Sequence, residues 1–428
     1  MRIYIETYGC TVNRADSQLI RELLEAKGHI IVDSIKDAQV LIINTCIVRK
    51  DTEDKMVRRI TELRRLALAH GKKLIVAGCM SRAQPYVIVK NAPEASLITP
   101  QNIHRIVDIV ECKGRMVLID GAFRPTHLLP KSYNGLIASI PIAEGCLGSC
   151  SYCIVRLARG PLRSYPPNLI IDVVKESVSR GVKEIQLTAQ DVAAYGRDVG
   201  LKLPDLLREI LGINGDFMIR IGMMNPNLLL DIIDDMIDIY RDEKVYKFLH
   251  IPVQSGDNRL LKIMNRRYTI EEFEYIVKEF RSKIPEIMIA TDIIVGHPGE
   301  DEEAFKNTVE LVERLKFDRV HVAHYSIRPH TPSASMKQVP SKVRKRRVLE
   351  LMRVVEKVCL EKHKRFVGSN VKVLFIERPR NGTIVGRTMS YHPVVVPENL
   401  KVLGKWGLVR VLDATFYDLR GEILKVYS

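Results

Sequence analysis

Hydrophobic patterning divides the chain into three segments. In the first, residues 1–121, short apolar runs alternate with stretches whose apolar residues recur at helical spacing. The runs predict buried strands and the stretches predict amphipathic helices. This alternation indicates an open parallel α/β sheet covered on both faces. We predict strands at residues 2–8, 40–45 and 74–77, and helices at 16–26 and 52–69.

The second segment, residues 134–365, follows a proline-containing linker at 123–133 and repeats strand then helix six times. Six such units predict a partial (β/α)6 barrel, in which ligands bind at the carboxyl ends of the strands. The predicted strands are 136–142, 183–187, 217–221, 247–251, 287–295 and 319–324. The predicted helices are 168–180, 204–211, 227–240, 270–281, 302–315 and 341–364.

The third segment, residues 366–428, contains short β-rich runs separated by Gly, Pro and Asn. This spacing of short strands predicts a small all-β barrel. The predicted strands are 371–376, 383–387, 394–396, 408–414 and 422–426.

Composition narrows the class of protein. Hydrophobic residues make up 46% of the 428 residues and charged residues 27%, which excludes a disordered chain. The formal net charge of +15 suits a polyanionic partner, above all a nucleic acid. No apolar run approaches the roughly 18–20 residues of a membrane span, and the N-terminus has no signal-peptide pattern. We therefore expect a cytoplasmic protein with no membrane partner, in which the eight cysteines are metal ligands or catalytic groups rather than disulfides.

The strongest motif is a CxxxCxxC directly after the first predicted barrel strand. It consists of Cys146, Cys150 and Cys153. Three thiolates at this spacing can hold three irons of a [4Fe–4S] cluster and leave the fourth iron open. S-adenosylmethionine can chelate such an iron through its amine and carboxylate. Structural zinc usually has four protein ligands in two cysteine pairs. No second pair exists here, so an iron–sulfur cluster is favoured. Zinc and unliganded core thiols are the alternatives.

Polar residues follow the other barrel strands. They are Gln190 and Asp191, Asn225, Gln254 and Ser255, the run Gly296-His297-Pro298, and Arg328. Together these residues could surround a ligand at one mouth of the barrel. Turns and helix caps select the same residue types, so each residue on its own is equally well explained by local structure.

A second set of cysteines follows three strands of the first segment. Cys10, Cys46 and Cys79 each stand at the carboxyl end of a predicted strand, where parallel sheets bind ligands. A shared three-cysteine cluster is one interpretation, and three buried small hydrophobes is the other. Cys112 and Cys359 do not follow strands, and we expect both to lie in the core.

A basic helix precedes the small β-barrel. Residues 337–365 contain eleven Lys or Arg and three Glu, with Val348, Leu349, Met352, Val355 and Cys359 forming a predicted apolar face. Such a charge run can be a solvated helix face, but next to a small barrel it favours nucleic-acid binding. The aromatic residues Phe375, Tyr391 and Trp406 either stack on bases or belong to the core.

Taken together, these motifs resemble the methylthiotransferases of the radical S-adenosylmethionine superfamily. The resemblance covers essentially the whole chain. It implies that Cys146, Cys150 and Cys153 bind one [4Fe–4S] cluster and S-adenosylmethionine, that Cys10, Cys46 and Cys79 bind a second, and that residues 366–428 form an RNA-binding TRAM module. The family also implies an electron donor of the reductase, flavodoxin or ferredoxin type.

Several stretches are similar to the archaeal and eukaryotic branch of this family. They are Ala158-Arg159-Gly160, Ala189-Gln190-Asp191, Gly222-Met223-Met224-Asn225-Pro226 and, shared more widely, His250-Ile251-Pro252-Val253-Gln254-Ser255-Gly256. That branch acts on C2 of N6-threonylcarbamoyladenosine beside the tRNA anticodon. The chain departs from the family pattern at Leu157, His297 and His330, where histidine, phenylalanine and glycine are usual.

The resemblance implies that S-adenosylmethionine is used twice. One molecule donates a methyl group to sulfur at the Cys10 cluster. Another is cleaved at the Cys146 cluster to a 5′-deoxyadenosyl radical that activates the adenine C–H bond. Alternative substrates within the family are isopentenyladenosine in tRNA and a ribosomal-protein aspartate. A zinc-stabilised, non-catalytic RNA-binding protein is the alternative from another class.

Overall fold

The computed structural model describes residues 1–48, 50–121, 123–131, 133, 135–380, 382–397 and 399–427. The predicted boundary residues 134 and 428, and residue 132 of the predicted linker, lie outside this set. The predicted fold class is confirmed, because an N-terminal parallel sheet, a partial (β/α)6 barrel and a closed C-terminal β-barrel follow one another along the chain.

The N-terminal sheet has six parallel strands in the order β2-β1-β3-β4-β5-β6. Apolar side chains pack on both of its faces, as the nearly continuous hydrophobic runs predict. Its elements are β1 (Arg2–Thr7), α1 (Thr11–Glu25), β2 (Ile30–Ile31), β3 (Val40–Thr45), α2 (Lys50–Ala69), β4 (Lys73–Gly78), α3 (Cys79–Ala83), α4 (Pro85–Asn91), β5 (Ser96–Ile98), a 3₁₀ helix (Pro100–Arg105), α5 (Ile106–Glu111) and β6 (Val117–Leu118).

Six parallel strands form the central barrel as two three-stranded arcs, β7-β10-β11 and β12-β13-β14. A single bridge from Ile219 to Val245 joins the arcs. The elements are β7 (Ile137–Pro141), β8 (Ala143–Glu144), α6 (Val155–Arg159), β9 (Arg163–Ser164), α7 (Pro167–Ser179), β10 (Glu184–Thr188), α8 (Leu203–Leu211), β11 (Met218–Ile221), α9 (Pro226–Leu230), α10 (Ile233–Arg241), β12 (Phe248–His250), α11 (Asn258–Ile263), α12 (Ile270–Lys283), β13 (Met288–Val295), α13 (Glu302–Leu315), β14 (Arg319–His324) and α14 (Ser341–Lys364), with 3₁₀ turns at Val192–Ala194 and Pro332–Ser335.

The C-terminal barrel is closed in the order β15-β16-β17-β19-β18. Its strands are β15 (Asn370–Arg380), β16 (Thr383–Thr388), β17 (Pro393–Pro397), β18 (Trp406–Ala414) and β19 (Leu419–Val426), with a 3₁₀ turn at Leu400–Val402. This barrel packs against the N-terminal ends of the central strands. Tyr391 places its ring 5.1 Å from that of Phe248 and 4.8 Å from that of Tyr246, measured between centroids.

Several predicted elements differ from the structure. The helix predicted at 227–240 is divided into α9 and α10, and the helix predicted to begin at residue 16 begins at Thr11, directly after Cys10. Strands β5 and β6 have only three and two residues, too short for alternation to reveal. Leu349, expected on the apolar face of α14, is 55% exposed, and Leu351 lies in the core instead.

A buried ionic network holds the N-terminal sheet against the central barrel. The Arg124 guanidinium lies 2.9 Å from the Asp16 carboxylate and also pairs with Glu144 and the Tyr165 hydroxyl. Arg159 lies 2.6 Å from the other oxygen of Asp16. Burial acts to lower the pKa of Arg124, but the contacts with Glu144, Tyr165 and Asp16 reverse this effect and raise its pKa. The interface therefore contains buried ionised groups, and each is stabilised by a neighbour of opposite charge.

We expect Asp16→Asn to destabilise the protein strongly, because it leaves Arg124 and Arg159 without their shared buried carboxylate. The free energy of unfolding, measured by urea denaturation, should fall by about 3–5 kcal/mol. Asp238→Asn is the matched control, since Asp238 pairs with Arg241 at an exposed helix surface and should change stability by less than about 1 kcal/mol. Equal effects of the two substitutions would contradict a structural role for the network.

Candidate functional site

The first set of thiols lies where the order of the N-terminal sheet reverses. Cys10 follows β1, Cys46 follows β3 and Cys79 follows β4, and these three strands are adjacent. In open α/β sheets, ligands bind at the carboxyl ends of the strands at this switch in strand order. Cys10 is exposed, and Cys46 and Cys79 are buried. The sheet topology therefore brings together three thiols that are far apart in the sequence.

Asn13, in the first turn of α1, lies beside these thiols. Its Nδ2 donates hydrogen bonds of 2.8 Å to the carbonyls of Tyr8 and Thr45, which fixes the orientation of the amide. Its Oδ1 then lies 3.9 Å from the Sγ of both Cys10 and Cys79. The backbone at Gly9 also lies close to these thiols, since a Cβ at this position would be 2.6 Å from the Cβ of Cys46.

Burial sets the protonation of the two inner thiols. It raises the pKa of Cys46 and raises that of Cys79 to about 12, although the nearby Arg159 guanidinium acts in the opposite direction. Without a metal, both groups are therefore neutral at physiological pH. Thiolates form there when a metal centre replaces the protons, so that binding releases protons.

The second set of thiols lies in the loop between β8 and α6. Cys146 accepts a hydrogen bond of 3.2 Å from the amide of Gly148, and Cys150 lies 3.4 Å from Nη1 of Arg266. Burial raises the pKa of Cys146 to about 11 and that of Cys153 to about 12, and the neighbouring thiols add to this rise. The three sulfurs thus lie in one another's electrostatic field at the mouth of the central barrel.

Other loops hold the thiol loop in place. The antiparallel pair β8–β9 closes its base, and Gly145 there has a φ of +71° with no space for a side chain, since a Cβ would lie 1.8 Å from the Pro161 carbonyl oxygen. The amide of Ser151 donates to the Met264 carbonyl at 3.0 Å, and Ser333 donates to the Ser151 carbonyl. The loop is therefore anchored to two further strand-end loops.

The spacing of the thiols can be compared with that of ligands on a single zinc ion. Zinc binds cysteine sulfur at about 2.3 Å, so three thiolates on one zinc lie roughly 4 Å apart. Within the described ranges, a single group of three ligating side chains has all its ligand atoms within 4.8 Å, and it comprises His250, Asp292 and His321. Neither set of cysteines is this compact. Both sets are therefore wider than three thiolates on one zinc ion require.

Polar residues after β10, β11 and β12 converge near the second set of thiols. Asp191 accepts a hydrogen bond of 3.1 Å from the amide of Asn225, whose side-chain oxygen pairs with Arg266. The side-chain oxygens of Gln190 and Gln254 are buried and have no partner among the described residues. Gln254 also has a φ of +67°, an uncommon backbone conformation for a residue other than glycine. Each of these two side chains therefore has a free hydrogen-bond acceptor.

Three other predicted mouth residues already have partners within the protein. Ser255 lies in the loop before α11, and its hydroxyl is 3.3 Å from the hydroxyl of Thr308. His297 is fully buried beneath the thiol loop, with Nε2 3.2 Å from the Ser151 hydroxyl, and burial lowers its pKa to about 4. Arg328, expected at the mouth, instead forms a buried pair with Glu53 of α2. This arginine therefore fastens the N-terminal sheet to the central barrel.

The other departures from the family pattern have structural settings as well. Leu157 is 43% exposed on α6. His330 has a φ of +62°, in the region that favours glycine, which explains why glycine is usual at this position. Cys359 is buried as expected, whereas Cys112 is only half-buried because it forms the C-terminal cap of α5.

The two sets of thiols face the same interface. A small apolar cluster contains Ile47 and Cys79 from the N-terminal sheet and Ile154, directly after Cys153, from the barrel. Arg159 crosses this interface from α6, and its Nη2 donates to Asn13 Oδ1 at 2.7 Å. The structure therefore places the two sites on opposite sides of one thin packed layer.

Hydrophobic patterning does not identify three residues that make contacts between distant segments at the site. Arg159 ends the five-residue helix α6, Arg266 lies in the loop after α11, and Asn13 lies in the first turn of α1, ahead of the predicted helix start at residue 16. Their importance comes from contacts between segments more than 100 residues apart, such as that between Arg266 and Cys150. A buried arginine next to a cysteine is a tertiary feature that composition and spacing do not reveal.

The C-terminal part presents a basic surface. Within α14, Arg346, Arg347 and Lys362 pair with acidic residues of the barrel. Seven other cations between residues 337 and 365 are exposed: Lys337, Lys342, Lys345, Arg353, Lys357, Lys364 and Arg365. Phe375 lies in the core of the C-terminal barrel, and Tyr391 packs on the central barrel. Trp406 is half-buried with Lys372 4.7 Å above its ring, which leaves it the only one of the three predicted aromatic residues with substantial access to solvent.

Comparison with protein-family models gives three matches in chain order. A model described as an uncharacterized protein family, UPF0004, matches residues 2–99, the radical SAM superfamily matches residues 140–312, and the TRAM domain matches residues 364–424. No helix in the described part of the chain is long and apolar enough to cross a membrane.

Solved structures show the same fold with little sequence identity. A radical S-adenosylmethionine methyltransferase, TsrM, from Kitasatospora setae, solved with cobalamin and a [4Fe–4S] cluster, has a TM-score of 0.57 over 78% of this chain and 77% of its own, at 14% identity. The cobalamin-dependent S-adenosylmethionine radical enzyme OxsB has a TM-score of 0.53 over 83% of this chain and 56% of its own, at 12% identity. At these identities the likeness shows the fold alone.

Curated relatives are similar over essentially the whole of this chain. The probable threonylcarbamoyladenosine tRNA methylthiotransferase of Pyrococcus horikoshii is 44% identical over 431 residues, which are 99% of this chain and 100% of the relative. The threonylcarbamoyladenosine tRNA methylthiotransferase of Homo sapiens is 36% identical over 443 residues, covering 100% of this chain and 75% of the human protein. The chain therefore belongs to the threonylcarbamoyladenosine tRNA methylthiotransferase family, within the radical SAM superfamily.

Proposed function

We propose that the protein methylthiolates C2 of N6-threonylcarbamoyladenosine beside the anticodon of tRNA. The observation that supports this most strongly is the pair of three-thiol sites across one packed interface, in a chain whose relatives carry that name. In this proposal, residues 1–121 insert the sulfur, residues 134–365 generate the radical, and residues 366–428 bind the RNA. It acts in the cytoplasm with an electron donor of the reductase, flavodoxin or ferredoxin type.

Each set of thiols holds a [4Fe–4S] cluster in this proposal. Cys146, Cys150 and Cys153 hold the cluster that binds S-adenosylmethionine, and Cys10, Cys46 and Cys79 hold the cluster that carries the sulfur. Together these groups supply, when bound, reductive cleavage of S-adenosylmethionine at one iron and a methylated sulfur at the other. The net reaction replaces the C2 hydrogen of the base with a methylthio group.

The residues around the Cys146 set position S-adenosylmethionine. Arg266 places a positive charge beside Cys150. A cluster and the carboxylate of S-adenosylmethionine would both carry negative charge, so this cation would favour their binding. The free oxygens of Gln190 and Gln254 can accept hydrogen bonds from the amine or hydroxyl groups of S-adenosylmethionine. Asp191 acts indirectly, because it holds the Asn225 backbone and thereby the partner of Arg266.

The residues between the two sites keep the transfer distance short. Arg159 fixes Asn13 and Asp16 of α1 from the barrel side, so that the Cys10 set cannot move away from the mouth. Apolar contact of Ile47 with Ile154 excludes water from this layer. Exposed cations on α14 bind the tRNA backbone, which supplies affinity that falls with salt.

Cysteine substitutions should separate the two halves of the reaction. Cys146→Ala should abolish formation of 5′-deoxyadenosine, because an open iron is needed to bind S-adenosylmethionine. Cys10→Ala should retain that activity and abolish methylthiolated product. Both are measured by chromatography and mass spectrometry of anaerobic reactions.

The matched control is Cys112→Ala, since this half-buried thiol caps α5 and belongs to neither set. It should leave both products unchanged. A Cys10→Ala variant that still yields methylthiolated RNA would contradict the assignment of the first set as the sulfur site.

The identity of the substrate has its own test. Nucleosides from tRNA of cells with and without the gene are compared by mass spectrometry. We expect 2-methylthio-N6-threonylcarbamoyladenosine to disappear when the gene is deleted, and threonylcarbamoyladenosine to accumulate in its place. Loss of a methylthiolated isopentenyladenosine instead would contradict the proposed substrate and favour the other tRNA substrate of the family.

A further inference from the structure

One residue of the central barrel lies at the thiols of the N-terminal sheet. Arg159 is the last residue of α6, shortly after Cys153 in the sequence. Its guanidinium crosses the interface, where Nη2 donates to Asn13 Oδ1 at 2.7 Å and lies 2.6 Å from the Asp16 carboxylate. The side chain is almost fully buried. The barrel therefore contributes a fixed cation to a site whose cysteines all belong to the N-terminal sheet.

The Asn13 side chain shows how close this cation comes to the sulfurs. Its Nδ2 uses both hydrogens to bind backbone carbonyls, so the amide has a single orientation. Its Oδ1 contacts Arg159 and also lies 3.9 Å from the Sγ atoms of Cys10 and Cys79. An oxygen atom cannot donate a hydrogen bond to a thiolate. The group that stabilises negative charge on these sulfurs is therefore the guanidinium next to this oxygen.

The charge of Arg159 acts on all three thiols of the set. Burial raises the pKa of Cys46 and Cys79, and the guanidinium opposes this rise; at Cys79 it does so through a hydrogen bond as well as through its charge. In the other direction, Asp16, Cys79 and Cys10 contribute to holding the pKa of Arg159 well above its usual value. A cation that favours the thiolate in this way also favours the thiolate as a metal ligand.

A second arginine of the same network provides a comparison. Arg124 lies 2.9 Å from the other oxygen of Asp16 and pairs with Glu144. The two arginines and the two carboxylates balance one another, so Arg159 is charged before any cluster binds. Both arginines share Asp16, but the guanidinium of Arg159 is the one that also contacts the thiol site.

A neighbouring cation matters to an iron–sulfur cluster because reduction adds negative charge to it. A [4Fe–4S] cluster held by three thiolates is already anionic. Its reduction potential depends on its net charge, on hydrogen bonds to the sulfurs and on exposure to solvent. A buried guanidinium beside the thiolates stabilises the reduced form more than the oxidised form, and burial strengthens this effect.

We propose that Arg159 is the electrostatic partner of the cluster held by Cys10, Cys46 and Cys79, and that it raises the reduction potential of this cluster. This inference rests on the proposed function and deepens it. Arg159 is a positioning residue, since it acts through its charge and through Asn13 and not on the substrate. The electronic properties of the sulfur-carrying cluster then depend on the docking of the N-terminal sheet onto the barrel.

The midpoint potential of this cluster tests the role of Arg159. It is measured by redox titration followed by electron paramagnetic resonance, on anaerobically reconstituted full-length protein. Cys146, Cys150 and Cys153 are replaced by Ala in this background variant, so that the signal comes from the Cys10 set. On this background we expect Arg159→Gln to lower the midpoint potential, because the reduced cluster loses a stabilising charge. An iron content of about four per chain shows that a variant retains the cluster.

Arg124→Gln is the matched control, since it also leaves Asp16 with a single arginine. It should weaken the same interface but shift the potential far less. Arg159→Lys keeps a charge and loses the planar set of donors, so it should lower the potential by less than Arg159→Gln.

Equal shifts in Arg159→Gln and Arg124→Gln would overturn the proposal, because they would indicate a general loosening of the interface. An unchanged potential in Arg159→Gln would overturn it as well. If Arg159→Gln does not retain its iron, Arg159→Lys decides, and a wild-type potential in that variant would contradict the proposal.

Failure of the proposed function is distinguishable from failure of this inference. If the background variant binds no iron, the Cys10 set holds no cluster and the proposed sulfur site is wrong. If it binds about four irons per chain and Arg159→Gln leaves the potential unchanged, only the role of Arg159 is wrong.

Discussion

The shared buried carboxylate of Asp16 is the interaction on which the arrangement of this molecule depends. It compensates two arginines, Arg124 from the linker and Arg159 from the radical SAM barrel, in an interface where an unpaired charge is strongly unfavourable. Because each charge requires the others, the N-terminal sheet has one position on the barrel. That position brings Cys79 into the same packed layer as Ile154, next to Cys153. The two sets of thiols, which reside in separate folds, thereby lie at one interface.

The same elementary rule places each centre. The carboxyl ends of parallel strands lie at one edge of a sheet, so side chains just beyond that edge lie close together. In the N-terminal sheet the rule joins Cys10, Cys46 and Cys79, and in the barrel it joins the CxxxCxxC loop to Gln190 and Gln254. The C-terminal barrel adds a third effect, because Tyr391 closes the interior of the central barrel from below while the basic α14 remains exposed.

Sequence patterning predicts much of this fold and part of the site. The bounds of β3, β14, α13 and α14 match the predictions, since long elements with strong periodicity carry the clearest signal. Patterning cannot identify contacts between distant segments. It did not predict that Arg328 pairs with Glu53 across the interface, that Arg159 pairs with Asp16, or that Arg266 lies beside Cys150. It also treated Leu349 as buried, because one turn of helix does not determine which of two neighbouring leucines faces the core. Strand ends follow from local sequence, whereas charge pairing follows from the tertiary structure.

The central claim is that the six cysteines hold two clusters. The most direct measurement is the content of iron and acid-labile sulfide per chain in anaerobically reconstituted protein. Two [4Fe–4S] clusters predict about eight of each per chain. About four of each would contradict the account, because the Cys10, Cys46 and Cys79 set would then be part of the core and the sulfur-insertion role would be withdrawn.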